Sequence, residues 1–332
     1  MEKQNLIKLT KYVFKKYFKY NKKIKNIIIY YKITFLFSFI LILILFKINK
    51  LNINNKIKIC LCVIGKNENL YVKEFVDHYK KIGYDKIFIY DNNDINGEKF
   101  EDVIKNEIDS DFVSIINYRG YIGKDIRPQF DAYKDCYDKN KYNYDWLSFY
   151  DFDEFLIIKN KYITIKEFLN NKIFKKCDNV KINWIIYNNN YSLYYENKPL
   201  EVRFPNPVYN NEINKHIKST VRGKSSINYW SNMKNPHSSI NNFIACSSSG
   251  KIVDNSSPFI SPPDINNSFL KHYLFKSFEE YCNKIKRARS DLTSIENNKY
   301  INNLINYLYN ENKNNNIKLN IIKKIFNLTK FL

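Results

Sequence analysis

No pair of cysteines in this sequence stands in a CxxC arrangement, which argues against a zinc module for the six cysteines present. Cys60 and Cys62 alternate within an apolar run and read as small buried hydrophobes. Disulfides are allowed if the chain enters an oxidising compartment, but their pairing is not legible. The chain is short of glycine (7), proline (8) and methionine (2), and rich in Asn, Lys, Ile and Tyr. That bias reads as AT-rich coding rather than function, and it discounts the formal charge of +21. The lysines are spread along the chain rather than gathered in one stripe, which argues against a nucleic-acid partner. No internal repeat is present.

Acid is nearly missing from the N-terminus. Ten lysines up to and including Lys32 stand against Glu2. From 27 to 46 the only charge is Lys32, and ITFLFSFILILILF (Ile33–Phe46) has none. About twenty apolar residues span a bilayer core as a helix. No small residues follow Phe46, which argues against cleavage. The basic side precedes the span, so the expectation is an uncleaved signal anchor with a cytoplasmic N-terminus. The expected order is a basic cytoplasmic tail (1–26), a transmembrane helix (27–46), a stem (47–56), a folded domain (57–289), and a helical or poorly ordered tail (290–332). The protein would be a single-pass type II membrane protein. Its membrane would be of Golgi or ER type in a eukaryote, and otherwise a host or cell membrane.

After the stem, apolar runs and helical spacings alternate. Ile57–Ile64 reads as a buried strand, Tyr71–Ile82 as a helix closed by Gly83, and Lys86–Tyr90 as a second strand. Glu98–Asn106 reads as a helix, Phe112–Ile116 as a strand, and Pro128–Lys139 as a helix opened by its proline. A fourth strand ends at Tyr150. Such alternation predicts an α/β fold with a parallel sheet. Thr164 to Glu167 spells a capping box, Val180–Tyr187 a strand, and Phe278–Arg289 a helix. The segment 188–270 lacks periodicity and is expected to build an acceptor side from loops and short strands.

The stretch DWLSFYDFDEFLII (Asp145–Ile158) places Asp151, Asp153 and Glu154 directly after the fourth strand. A buried strand does not tolerate such acids without a positive partner. They therefore belong at its C-terminal tip, where open α/β sheets bind ligands. Clustered carboxylates suit a hard divalent cation. The alternative is an ordinary acidic turn.

Five segments in order resemble the family 92 glycosyltransferases and the related family 2-like group. They are KNENLYVKEFVDHYKKIGYDKIFIYDNND, RPQFDAYKDC, DWLSFYDFDEFL, NPHSS and LKHYLFKSFEEYCNKIKRAR, spanning about Cys60 to Arg289. The resemblance implies a GT-A-type fold, Rossmann-like, with a mostly parallel central sheet flanked by helices. It implies a metal-dependent transferase, with Mn²⁺ or Mg²⁺, moving a sugar from a UDP-sugar to a glycan, glycoprotein or glycolipid with inversion. A catalytically inactive nucleotide-sugar-binding protein of the same fold is the alternative.

By that resemblance Asp151 and Asp153 are the D-x-D motif, binding metal and donor diphosphate. Glu154 follows as a ligand or as a support for one. Asn67, Glu68, Asp91 and Asp94 at the first two strand tips are expected at the nucleoside, although Asp91 to Asp94 also reads as a turn. Arg127 and Gln129 open a helix whose N-terminus suits an anion. They are expected at the donor, or else as surface residues. His237 and His272 match histidines of the family that ligate metal or hold the diphosphate, and each could equally be structural. Lys276 and Ser277 would approach the diphosphate. His78 reads as structural. Inversion needs a base for the acceptor hydroxyl. Glu196, Glu201, Glu212, Asp254 and Asp264 are the acids between Lys181 and Phe275 from which it is expected, and none is singled out.

Overall fold

The computed structural model describes residues 57–121, 127–159, 162–223, 236–238 and 243–327, with 8, 11–16, 19–21, 31–32 and 34–43 near the N-terminus. The chain divides into two units, Met1–Lys56 and Ile57–Leu332. In the first, residues 34–43 are helical and expose Phe35, Phe37, Phe39 and Leu41. Among the described residues no helix is long and apolar enough to cross a membrane. The expected span of 27–46 lies partly outside those residues, and the stem of 47–56 wholly outside them.

The second unit begins with strand β1 (Ile59–Gly65), helix α1 (Asn69–Lys81), β2 (Lys86–Asp91), α2 (Lys105–Asp109), β3 (Val113–Asn117), α3 (Pro128–Asn140) and β4 (Trp146–Phe149). β1 pairs in parallel with β2 and β4, and β2 in parallel with β3. The period of two in β1 explains its unbroken apolar run. Ile59, Leu61 and Val63 face a core that includes α1's Val72, Phe75, Val76 and Tyr79. Cys60, Cys62 and Ile64 face Ala132, Tyr133 and Tyr137 of α3. A strand covered by helices on both sides leaves no position for a polar residue. Gly83 leaves α1 at φ 95°, a conformation that suits glycine. The helix expected over Glu98–Asn106 is instead a 3₁₀ turn, Phe100–Asp102, followed by α2.

The chain continues through β5 (Glu154–Ile158), α4 (Ile165–Leu169), β6 (Asn179–Tyr187), α5 (Leu200–Arg203), β7 (Pro207–Val208), β8 (Ile217–Arg222), β9 (Ala245–Ser247), β10 (Ile252–Val253) and β11 (Ser268–His272). The sheet order is β10-β9-β6-β8-β4-β1-β2-β3, with β11 joining β5 and β6, and β7 joining β6. β8 is antiparallel to both β4 and β6. The expectation of a mostly parallel sheet therefore holds for β3-β2-β1-β4 and is corrected for the rest, which is mixed. The physical reason lies in the connections: β6 returns to β8 through loops and short turns, without the long crossover helix that a parallel neighbour needs.

Helices α6 (Phe278–Lys286), α7 (Ser294–Glu311) and α8 (Asn316–Phe326) follow. α6 and α7 each open on a capping box, Ser277 with Glu280 and Thr293 with Glu296. Cys282 and Ile285 of α6 pack with Leu308, Ile321, Ile322 and Ile325 in a core of their own. The described part of the tail is thus helical and docked on α6.

Two disulfides form. Cys62–Cys136 ties β1 to α3, and Cys177–Cys246 ties the approach of β6 to β9. Cys62 is therefore not merely a small hydrophobe: it points to the α3 side of β1, where Cys136 meets it. Cys60 is free and buried.

Candidate active site

The acids follow β4 in a turn that leads into β5. Phe152 points into the core, with its ring 4.7 Å from Phe75 and 5.4 Å from Phe100. Asp151 and Asp153 consequently flank a buried anchor. Gly65, at the tip of β1, makes room for it, because a Cβ there would lie 2.3 Å from the Phe152 ring. The turn is closed by the Asp151 N–H donating to Glu154 Oε2 (3.0 Å) and the Glu154 N–H donating to the Asp151 carbonyl (3.1 Å).

Each aspartate has its own cation. Lys218 Nζ on β8 donates to Asp151 Oδ2 (2.6 Å), while Gln129 Nε2 (2.9 Å) and the Tyr133 hydroxyl (3.2 Å) donate to Oδ1. Burial pulls the Lys218 pKa down, but Asp151 and Glu154 more than offset this and hold the ammonium charged. Asp153 accepts from Lys284 Nζ on α6, and its Oδ2 lies 3.6 Å from His272 Nε2. Burial alone would raise the Asp153 pKa. Lys284, His272 and Lys276 instead hold it well below the carboxylate range. Glu154 is fully buried, and burial pushes its pKa well up against Lys218, with Asp151 and Asp153 adding to the rise. Burial lowers the His272 pKa more than Asp153 raises it, so the imidazole is neutral.

Asp153, Glu154 and His272 offer ligand atoms that all lie within 4.8 Å of one another. Glu154 Oε1 and His272 Nδ1 are buried without a hydrogen-bond partner. Two carboxylates with a neutral imidazole form an oxygen–nitrogen donor set that suits Mn²⁺ or Mg²⁺. These residues fit a divalent cation. Asp151 is outside this group, its oxygens taken by Lys218, Gln129 and Tyr133. His237 is also outside it, buried with its ring 6.1 Å from that of Tyr133.

A cavity of about 640 Å³ opens over these acids. Five cations line it: Lys66, Lys218, Lys284, Arg287 and Arg289. Of the expected site residues, Glu68, Gln129, Asp151, Asp153, His237 and His272 line it too. The others do not. Asn67 stands at φ 55°, its N–H donating to Asn93 Oδ1 (2.7 Å). Asp91 is 1% exposed, with Oδ2 accepting from Arg119 (2.9 Å) and Oδ1 from both nitrogens of Asn93 (3.0 and 2.7 Å). Asp94 is exposed and pairs with Lys66 (2.7 Å). Arg127 pairs with Glu296 on α7 (2.9 Å). Lys276 sits 3.3 Å from the centre of the Tyr71 ring and 3.7 Å from Glu68. Ser277 caps α6. His78, as expected, is structural: its Nε2 lies 2.9 Å from the Leu156 carbonyl.

None of the five acids expected to include the base lines the cavity. Glu196, Glu201 and Glu212 sit beside Lys198, Lys271 and Lys215, Asp254 holds Ser256, and Asp264 is fixed by Ser247 and Ser249. Sequence reasoning missed Lys218, Lys284, Arg287, Arg289 and Asp291. Four of these cluster in KIKRARSD, where a cation-rich helix end was the available signal.

The pattern of Glycosyltransferase family 92 matches residues 55–323. That range continues past Arg289, where the sequence resemblance was expected to stop. Two relatives are a family 92 protein of Ricinus communis, 29% identical over 98 residues, and one of Oryza sativa subsp. japonica, 31% identical over 98 residues. Each match covers 30% of this chain, but only 17% of the first relative and 16% of the second. Among solved structures, S. aureus TarS is similar over 76% of this chain and 43% of its own, at 12% identity and a TM-score of 0.34. Its 1–349 portion in complex with UDP-GlcNAc is similar over 78% and 74%, at 13% identity and a TM-score of 0.33. Likeness at that score carries no argument about the site. Matched across 55–323 of its 332 residues, the chain belongs to glycosyltransferase family 92.

Proposed function

We propose that this protein is a metal-dependent, inverting glycosyltransferase that takes a UDP-sugar and transfers its sugar to a glycan, glycoprotein or glycolipid. The observation that carries this reading is the grouping of Asp153, Glu154 and His272 beneath a cavity walled by Lys66, Lys218, Lys284, Arg287 and Arg289. Those three residues would hold Mn²⁺ or Mg²⁺, which when bound supplies Lewis-acid charge beside the leaving diphosphate. Lys284 and Arg287 give the same diphosphate charged N–H donors. Asp151 holds Lys218 and Gln129 in place. The nucleoside is placed at the tips of β1 and β2, where Asn67, Glu68 and Asp94 meet a loop whose shape Asp91 fixes through Asn93. Arg127 and Lys276 would join the donor only by leaving Glu296 and Tyr71. His237 lines the same cavity and would serve the diphosphate from there.

One observation favours a nucleotide-sugar-binding protein without turnover: Lys284 already neutralises Asp153 without a cation. A screen of UDP-sugars by UDP release, with and without Mn²⁺, separates the two. The transferase reading expects release that depends on Mn²⁺. Calorimetric UDP binding with no release from any donor would favour the binder.

We also place a membrane anchor at 27–46, with the domain from 57 in the lumen. The disulfides Cys62–Cys136 and Cys177–Cys246 suit an oxidising lumen. In microsomes the domain should resist added protease until detergent is present. Digestion without detergent would reverse the orientation.

A further inference from the structure

Resting on the transferase reading, the acceptor hydroxyl needs a proton acceptor facing the cavity. Among the described residues, four carboxylates line that cavity: Glu68, Asp151, Asp153 and Asp291. All four are paired, Asp291 with Arg289, but the first three pair with side chains assigned above to the donor and cation side. Glu68 pairs with Arg287, Asp151 with Lys218, and Asp153 with Lys284 beside the candidate cation ligands.

Asp291 is placed by a built loop rather than a loose one. The Gln129 N–H donates to the Ser290 carbonyl (2.9 Å), which ties the loop to the helix end beside Asp151. Asn297, 8% exposed, accepts from the Arg289 N–H (2.8 Å) and donates to the carbonyls of Arg289 (2.8 Å) and Leu292 (3.2 Å). Arg289 lies 5.3 Å from the Tyr300 ring centre and grips Asp291 with Nε (2.9 Å) and Nη2 (2.6 Å). A forked pair of this kind fixes the carboxylate while each oxygen keeps a second lone pair. Burial would raise the Asp291 pKa, but Arg289, and more weakly Lys218, hold it below the usual value, so the group is ionised. Asp291 lines the same cavity as Asp151 and Asp153.

We propose that Asp291 is the base of the transfer. The acceptor oxygen bonds to the anomeric carbon as the bond from that carbon to the diphosphate oxygen breaks. The bonding pair leaves with UDP, and the hydroxyl proton passes to the Asp291 carboxylate. The stretch Ala288–Leu292 with the first turns of α7 is then the acceptor's wall. Of the cavity's imidazoles, His216 is the rival base, stacked face to face on Trp184 with centroids 4.8 Å apart.

The test uses the donor and acceptor that the full chain turns over in the UDP-release screen. Asp291→Asn should lower kcat by at least ~10²-fold, the scale of a lost general base. UDP affinity in the presence of Mn²⁺, measured by calorimetry, should stay within about twofold of wild type, because the donor side is untouched. Asp291→Glu, which keeps a carboxylate, should recover part of the rate. If Asp291→Asn does not fold, Asp291→Ser makes the same measurement. A folded Asp291→Asn or Asp291→Ser with near-wild-type kcat overturns the proposal. So does a parallel loss of UDP affinity, or a collapse of rate in His216→Asn alone. No turnover by the wild type overturns the transferase reading itself, and this inference with it.

Discussion

Asp153→Asn is expected to cut Mn²⁺-dependent UDP release by at least ~10²-fold, the scale of losing a main electrostatic stabiliser of a transition state. The substitution keeps the shape of a side chain that is 3% exposed, and removes the charge that a cation would share with Glu154 and His272. Excess Mn²⁺ should rescue it only in part. From sequence alone, two neighbouring carboxylates repel, and removing one should leave stability unchanged or raised. The structure changes that expectation, because Asp151 and Asp153 each have a lysine. Asp153 is ionised well below the usual pH, so its stabilising contribution is present above the ordinary carboxylate pKa and fades as pH falls through its own. Asp153→Asn should therefore lower the thermal midpoint modestly. Lys284, 29% exposed, can turn to water when its partner goes. Initial rates and melting curves on wild type and mutant decide the matter. A well-folded Asp153→Asn turning over near the wild-type rate would sink the metal site and most of the proposed function.

Lys218→Met should have the larger effect on the fold. Lys218 is 3% exposed and serves two acids at once, 2.6 Å from Asp151 and 3.5 Å from Glu154. Removing one member of a buried ion pair costs ~3–5 kcal/mol, because the remaining charge is stranded. Asp151 keeps some water contact at 35% side-chain exposure, so the low end, about 3 kcal/mol, is expected. The shift in urea midpoint at constant slope measures it. Activity should fall as well, since Asp151 would be held only by Gln129 and Tyr133. An unchanged midpoint would mean that Asp151 is solvated rather than paired.

Lys218 also shows where sequence reading stopped. IKSTVR looks like a strand with one wet face, yet Lys218, Ser219 and Thr220 are all buried because β8 lies between β4 and β6. Lys181 in β6 is similar, fully buried with its ammonium donating to the carbonyls of Asp254, Asn255 and Ser257. Polar residues satisfied by remote partners break the apolar pattern that sequence reasoning depends on. The parallel half was legible because its strands are apolar on both faces and its helices are punctuated by Gly83 and Pro128. Asp151, Asp153 and Glu154 stood out because acids directly after a buried strand need a positive partner or a turn to explain them. Asp91 and Arg127 could not be resolved, since Arg119 and Glu296 reach them only in the folded chain. Asp291 was missed because the search for a base stopped before α6.

The contact between Gly65 and Phe152 ties heredity to chemistry. Position 65 can gain a side chain only if position 152 gives up its ring, since the two would overlap at 2.3 Å. A lineage cannot take those steps one at a time without first displacing the residue between the two aspartates. Phe152, between Asp151 and Asp153, is thus no free spacer. It is one half of a contact between two positions distant along the chain.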